Sequence, residues 1–350
     1  MTTNDIGLLV ACDKCDKLVM SEKYIDHDKR CSGKQIRQTQ QTENTQTKSK
    51  KVLKVEKTEK TERRLIGNSQ PNPYLNDIQQ KAVDYCFKKA RIYHKNVYPN
   101  AVIRFIELGL TEQDLTDTLE YIKDLDAIIH FGGPTKTGWI RTENRVKNAY
   151  EVNRESSYLV SRTDWENNLF NKICGDDTDD LSRSNRVKYG CLNMLSDPAG
   201  CISARSYGPS YMILRKELKN RITFVCGDSA GKQQHMCTFD NCVQLLLYMD
   251  ENLLKNVVAL AKFKQTKIVV DNVIKEINNH RNYSYIEIQV HGDVFISRDI
   301  ERVVLDKNSM SKEEMHEVVS RLKHDNIPYT INDYGPNVYS VSGPFRPTFL

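Results

Sequence analysis

The sequence predicts an α+β fold, on three observations. Runs of strand character are separated by clusters of Gly, Pro, Asn and Asp instead of alternating regularly with helices, which argues against a doubly wound sheet. Helical spacing is concentrated in a lead-in before those runs and in two later stretches. The chain also lacks GxGxxG, Gly-x4-Gly-Lys-Ser/Thr and His-Glu-x2-His, so dinucleotide folds, P-loop enzymes and zincins lose their usual support.

The chain opens on Cys12-x2-Cys15-x11-His27-x3-Cys31. Four S/N ligands suit tetrahedral zinc, and the x3 spacing sets His27 and Cys31 one turn apart on a helix running roughly from Ser21 to Arg30. Cys12 and Cys15 would close the tetrahedron from a turn. With every position filled by protein there is no open site for water, so residues 1–32 read as a metal-folded recognition module and not as a catalyst. The spacing resembles that of ubiquitin-binding zinc fingers of DNA-repair proteins, in which this helix lies on ubiquitin. Such fingers usually carry an acidic residue two positions after the histidine, where this chain has Lys29, while Asp26 and Asp28 flank His27.

Residues 33–70 are rich in Gln, Thr, Lys and Glu and nearly devoid of aromatics, a composition that cannot offset the entropy of ordering, so a disordered linker is expected. Its segment from Lys48 to Arg64 sets eight basic residues against Glu56, Glu59 and Glu62. Such a run is a solvated tether or a weak, sequence-independent contact for nucleic acid or an anionic surface. Net charge is only +5 over 350 residues, and 39% hydrophobic content is that of a globular protein. The first residues have no basic n-region with an apolar core, and no run reaches the roughly 18 apolar residues of a membrane span, so an intracellular protein without membrane contact is expected. Seven further cysteines without framework spacing fit reduced thiols.

The folded domain is expected over 71–350, as a helical lead-in (71–125), a core (126–306) and a C-terminal helix with its tail (307–350). Ile78, Ala82, Tyr85, Cys86 and Ala90 give Asn76 to Tyr93 a helical stripe, and Thr111-Glu-Gln-Asp114 reads as a capping box opening a helix through Tyr121. Strands are expected at Ala127 to Phe131, Tyr189 to Leu195, Tyr207 to Leu214, Ile222 to Val225, Tyr283 to Val290 and Arg302 to Leu305. A helical stretch from Phe239 to about Lys264 interrupts them, and a last helix, capped by Ser309 or Ser311, runs to about Arg321.

Strand alternation in Tyr285-Ile-Glu-Ile-Gln-Val-His-Gly292 puts Ile286, Ile288 and Val290 on one face and Tyr285, Glu287, Gln289 and His291 on the other. That polar face is either a solvent-facing edge or a carboxylate aimed into a cleft. Trp165 and Phe170 read as core.

The order of Trp165-Glu-Asn-Asn-Leu-Phe170, Lys188-Tyr-Gly-Cys-Leu-Asn193, the block from Tyr207-Gly208 to Gly227-Asp-Ser229, and Tyr285 to Gly292 resembles a family known as a domain of unknown function. That family includes bacterial effectors of the CteC type, which resemble ADP-ribosyltransferases acting on a threonine of ubiquitin. The likeness covers roughly Ile128 to Asp306. It implies an ADP-ribosyltransferase-like split β-sandwich that grips NAD, with Glu287 as catalytic carboxylate. It further implies an arginine or histidine near the first strand, for which Arg145 and His130 are rivals; the block Arg145-Val-Lys-Asn-Ala-Tyr-Glu151 only partly matches the family's pattern. Thr223, Asp228 and Ser229 correspond to elements beside NAD, and Arg205, Ser206, Tyr207, Gly208 and Gln289 complete the implied cofactor site. From the residues alone, Gly227-Asp-Ser229 is equally an Asx-type turn and His130 a strand-end histidine satisfied by backbone. Two functions are thus expected to compete. One is an NAD-dependent mono-ADP-ribosyltransferase for a protein hydroxyl, with the finger recruiting ubiquitin by effective concentration. The other is a non-catalytic zinc-finger adaptor for ubiquitin or nucleic acid.

Overall fold

The computed structural model describes residues 72–152, 156–174, 180–230, 235–266 and 285–332, and the backbone of 9–11 and 18–20. The candidate zinc ligands Cys12, Cys15, His27 and Cys31, and the linker 33–70, lie outside the described residues. The chain divides into a unit Met1–Pro73 and a unit Tyr74–Leu350. In the first, β1 (Leu9–Ala11) and β2 (Leu18–Met20) pair antiparallel with Val10 opposite Val19.

The second unit is a mixed α+β fold. It opens with α1 (Asp77–Glu107), started by a reciprocal capping box between Asn76 and Gln79. The helix runs through Pro99 and well past the expected end at Tyr93, because its buried stripe continues through Val97, Ala101 and Phe105. The expected Thr111–Asp114 capping box opens α2 (Glu112–Asp124). After β3 (Ala127–Phe131) come α3 (Gly133–Gly138), a π-helical turn (Trp139–Glu143) and β4 (Arg145–Val146). Then follow α4 (Ser156–Phe170), α5 (Asp180–Ser184) and β5 (Lys188–Leu192).

Beyond β5 the expected strand at Tyr207 begins later. Ile202–Tyr207 is a 3-10 turn and β6 spans only Ser210–Leu214. Pro209 has no N–H for a ladder, and Gly208 turns the chain at φ +134°, so pairing starts after both. A Cβ on Gly208 would meet the Phe131 carbonyl carbon at 2.0 Å. The close approach this glycine permits is therefore to the protein's own strand.

A second 3-10 turn (Lys216–Arg221) leads into β7 (Ile222–Phe224). The helical stretch at 239–264 is two helices, α6 (Val243–Tyr248) and α7 (Glu251–Thr266). The break lies at Asp250, whose carboxylate accepts from the N–H groups of Asn252 and Leu253 and so caps a new helix. The remaining elements are β8 (Glu287–Val290), β9 (Val294–Phe295), α8 (Ile296–Asp299), β10 (Ile300–Asp306), α9 (Lys312–His324, capped by Ser311) and β11 (Tyr329–Asn332).

Seven strands form one sheet in the order β11-β10-β6-β3-β5-β8-β7, antiparallel except for β10 with β11, while β4 and β9 pair apart from it. Helix α1 packs against α4, α6 and β7, and α2 against α7. Arg104 near the end of α1 donates to the carbonyls of Leu246, Leu247 and Met249, satisfying the open end of α6. Ala82, Cys86 and Ala90 of α1 join Leu169, Phe170, Val187 and Val225 in one core cluster. Ile128, Cys191, Cys201, Ala204, Tyr211 and Val304 form another. The seven cysteines of this unit are free thiols, as expected. Among the described residues no helix is long and apolar enough to cross a membrane.

Candidate functional site

Strand β8 decides the character of the site. It lies between β5 and β7, with Cys191 opposite Glu287 and Thr223 opposite Gln289. Its polar face is therefore not a solvent-facing edge: Glu287 is 5% exposed, Gln289 0% and His291 1%. A carboxylate in the interior must be neutralised or well hydrogen-bonded. Glu287 accepts from Gln289 Nε2 at 3.0 Å and from the Ser229 hydroxyl.

Glu287 faces a cavity of about 470 Å³, within the range of roughly 300–1,000 Å³ typical of pockets for small molecules and cofactors. Four cations line it, Lys136, Lys147, Arg162 and Lys188, and Glu287 is the one carboxylate among its described lining residues. Trp139, Tyr189, Tyr207 and Tyr285 supply aromatic surface. The guanidinium of Arg162, on α4, lies 4.2 Å from the Tyr189 ring centre, which stacks the charge beside the cavity. Lys136 donates to the Tyr207 carbonyl and sits over its ring, joining α3 to the 3-10 turn at the cavity rim. Such a lining suits an anionic ligand carrying a flat ring.

Burial, followed by the nearby Asp228, pushes the Glu287 carboxyl up to about 7, while Ser229, Gln289 and Arg162 act to keep it ionised. Its folded value thus lies above its unfolded value near 4.5, so the stability it contributes is complete below pH 4.5 and lost as pH rises through about 7. Glu287→Gln should therefore gain stability relative to the native protein between pH 5 and 8, as read from denaturation midpoints at the two values.

The expected site residues divide by where they sit. His130, Tyr207 and Glu287 all line the cavity. His130 is committed to main chain on both ring nitrogens: Nε2 accepts from Cys201 N–H at 3.1 Å, which leaves Nδ1–H to donate to the Gly208 carbonyl at 2.8 Å. Burial lowers its pKa to about 4, so it is neutral at physiological pH. Gly200 leaves room for this ring, since a Cβ there would lie 2.9 Å from it.

Arg145 does not line the cavity; it pairs with Glu151 and, at 3.2 Å, with Asp293. Arg205 pairs with Asp306 at 3.1 Å and Ser206 is exposed, neither among the lining residues. Thr223 and Gln289 are buried behind Glu287 and hydrogen-bond each other at 3.1 Å. Gly227 adopts φ +84°, and Asp228 accepts from Ala230 N–H at 2.8 Å, the geometry of an Asx turn. The other oxygen of Asp228 accepts from the Tyr285 hydroxyl at 2.9 Å, so this turn also holds the cavity's aromatic wall.

Sequence reasoning missed Arg162, Lys188, Lys136 and Trp139. Lys188 is fully buried at the start of β5, with Asp293 3.3 Å away, and burial lowers its pKa. Its signal was a lysine inside a strand block, where a charge without a partner is not tolerated. For Arg162 the nearby Trp165 was the only hint. Among the described residues no cluster of His, Cys, Asp and Glu could hold a metal ion.

The family described as "Protein of unknown function (DUF3626)" matches residues 155–335, from α4 to just past β11. No curated protein matches the chain.

Proposed function

We propose, for a chain that belongs to the DUF3626 family of proteins of unknown function, the function of an NAD-dependent mono-ADP-ribosyltransferase acting on a protein hydroxyl, with a threonine of ubiquitin as acceptor. The observation that carries this reading is Glu287, a buried carboxylate held by two hydrogen-bond donors and the one carboxylate among the described lining residues of a cavity to which four cations and four aromatic rings also contribute. Cations suit the pyrophosphate of NAD, aromatic faces suit its rings, and a single carboxylate suits the positive charge that develops on the ribose.

In the reaction the bond between nicotinamide nitrogen and ribose C1 breaks, nicotinamide leaves with the bonding pair, and C1 acquires oxocarbenium character. Ionised Glu287 stabilises that charge and accepts a hydrogen bond from a ribose hydroxyl. The acceptor hydroxyl forms the new bond to C1 and loses its proton to solvent. A hydroxyl is a poor nucleophile, so holding it near C1 supplies much of the remaining rate. Arg162 and Lys136 would contact the phosphates, and Tyr189, Tyr207 and Tyr285 the ring systems. An ADP-ribosyltransferase-like arrangement of the β-strands belongs to the same proposal.

The decisive experiment is intact-mass spectrometry of ubiquitin after incubation with the protein and NAD. A gain of one ADP-ribose is expected, with transfer rising with pH through a midpoint near 7 as Glu287 ionises. An unmodified ubiquitin with NAD unconsumed would defeat the reading. One observation favours the adaptor reading: both rival NAD-holding residues are already engaged, His130 with main chain and Arg145 with carboxylates.

The finger enters as a recruiter of ubiquitin through zinc held by Cys12, Cys15, His27 and Cys31. In the full chain, Cys12→Ser is then expected to raise KM for ubiquitin and leave kcat unchanged, measured by initial rates over a ubiquitin series. An unchanged KM would remove the finger from substrate capture. A steep fall of affinity for DNA or RNA with salt would assign the basic linker to nucleic acid instead.

A further inference from the structure

A line of buried hydrogen bonds leads from Glu287 away from the cavity. Gln289 Nε2 donates to Glu287 Oε1 at 3.0 Å, the Thr223 hydroxyl lies 3.1 Å from Gln289 Oε1, and His291 Nε2 lies 3.2 Å from the same hydroxyl oxygen. Thr223 is on β7 and His291 follows β8 directly. Gln289, Thr223 and His291 are all absent from the cavity lining.

The direction of every bond follows from counting hydrogens. The amide oxygen of Gln289 has none, so the Thr223 hydroxyl donates to it. That uses the only proton of the hydroxyl, so His291 must carry its proton on Nε2 and donate to Thr223. Burial, reinforced by Arg221 and Lys188, lowers the His291 pKa to about 3, which keeps the ring neutral with one N–H. The Phe170 ring packs edge to face against it at 5.2 Å, fixing its plane. Three donors in succession thus point toward Glu287.

We infer that Thr223 and His291 are positioning residues for Glu287: by engaging the amide oxygen of Gln289 they turn its NH2 group toward the carboxylate and hold that carboxylate ionised and oriented into the cavity. An unanchored Gln289 could present either end of its amide, and the oxygen end would repel a carboxylate. Thr223 is thereby assigned to the carboxylate instead of to NAD itself. The inference rests on the reading that Glu287 is the working carboxylate. The other groups facing Glu287 come from separate elements: Asp228 and Ser229 from the turn after β7, Arg162 from α4, Tyr189 and Cys191 from β5, and Tyr207 from the 3-10 turn before β6. A change at Thr223 leaves these in place.

The test uses the full-length protein and reads the two ends of the line directly. Nitrogen-15 NMR of the histidine rings at pH 7 is expected to show His291 as the Nε2–H tautomer; the Nδ1–H tautomer would overturn the inference without any variant. Carbon-13 NMR of labelled glutamate carboxyls, with Glu287 assigned through Glu287→Gln, gives its titration midpoint. Thr223→Val is expected to raise that midpoint by about one pH unit, the worth of one hydrogen bond passed on to the ionised form. Thr223→Ser, which restores the hydroxyl, should return it to the native value. An unmoved midpoint in a folded Thr223→Val protein would overturn the inference. In the transfer assay at pH 7 the same variant should lose about fivefold in kcat with KM for NAD unchanged, as the ionised fraction falls. A native protein that shows the expected tautomer and midpoints but does not turn over NAD would count against the transferase reading alone.

Discussion

Glu287→Gln is expected, on the proposed transferase function, to lower ADP-ribosyl transfer by about 10²- to 10³-fold, the usual cost of removing one group aimed at developing charge in a dry site. The substitution keeps the shape of the side chain, and an amide oxygen can still accept from Gln289 and Ser229. What it removes is the negative charge, for which the described cavity lining offers no substitute: its other charged members are Lys136, Lys147, Arg162 and Lys188, with His130 neutral and burial holding the Tyr189, Tyr207, Tyr285 and Cys191 protons in place. Initial rates on ubiquitin, with near-ultraviolet circular dichroism as the check on folding, give the result. Undiminished transfer by a folded Glu287→Gln protein would move catalysis elsewhere. The variant should also lose the rise of activity through pH 7, because the group responsible no longer titrates.

Glu166→Leu is expected to destabilise the domain by about 3–5 kcal/mol, the range found when one partner of a buried ion pair is removed. Glu166 and Arg186 are both fully buried and 3.1 Å apart, and the Tyr189 hydroxyl donates to the other Glu166 oxygen at 2.9 Å. Burial pushes the Glu166 carboxyl up, and Arg186 and Arg162 pull it back toward the charged form. Without Glu166 the Arg186 charge keeps a face of the Tyr150 ring, 5.0 Å away, but loses its carboxylate, and the Tyr189 hydroxyl loses its acceptor. Urea denaturation should show the midpoint falling at constant slope. Pairing Glu166→Leu with Arg186→Met should recover much of the loss, since the cost lies in a buried charge deprived of this carboxylate. A single variant as stable as the native protein would mean that the pair contributes nothing net. The hydrogen bond from Tyr189 to Glu166 also ties α4 to β5, the two elements that carry Arg162 and Tyr189 to the cavity wall.

Local chemistry explains which elements were legible. The capping box at Thr111 lies within four residues of chain and is readable as such, while the start of α9 is legible only as a cap at Ser309 or Ser311, of which Ser311 forms it. The apolar run Ala127–Phe131 and the strand at Ile222 were readable from composition. The local stripe of Ile78, Ala82, Tyr85, Cys86 and Ala90 accounts for α1 only to Tyr93, yet its apolar face goes on packing through Val97 and Ala101 to Phe105. The turn at Tyr207 is not legible locally because the constraint on it is distant: Gly208 passes against Phe131, more than seventy residues earlier.

The candidate site shows the same division. That Glu287, Gln289 and His291 share one side of a strand follows from the two-residue period of β structure, whatever the fold. Whether that side meets water or the interior depends on which strands flank it, and β5 and β7 arrive from far along the chain. Long-range pairing made a polar face into a buried carboxylate with a raised pKa, placed Arg162 and Lys188 around the cavity, and committed His130 and Arg145 to partners distant in sequence. Periodicity, caps and turn chemistry act over a few residues and are written in the chain order. Burial, charge pairing and the cavity arise from contacts between segments tens to hundreds of residues apart, which no local pattern encodes.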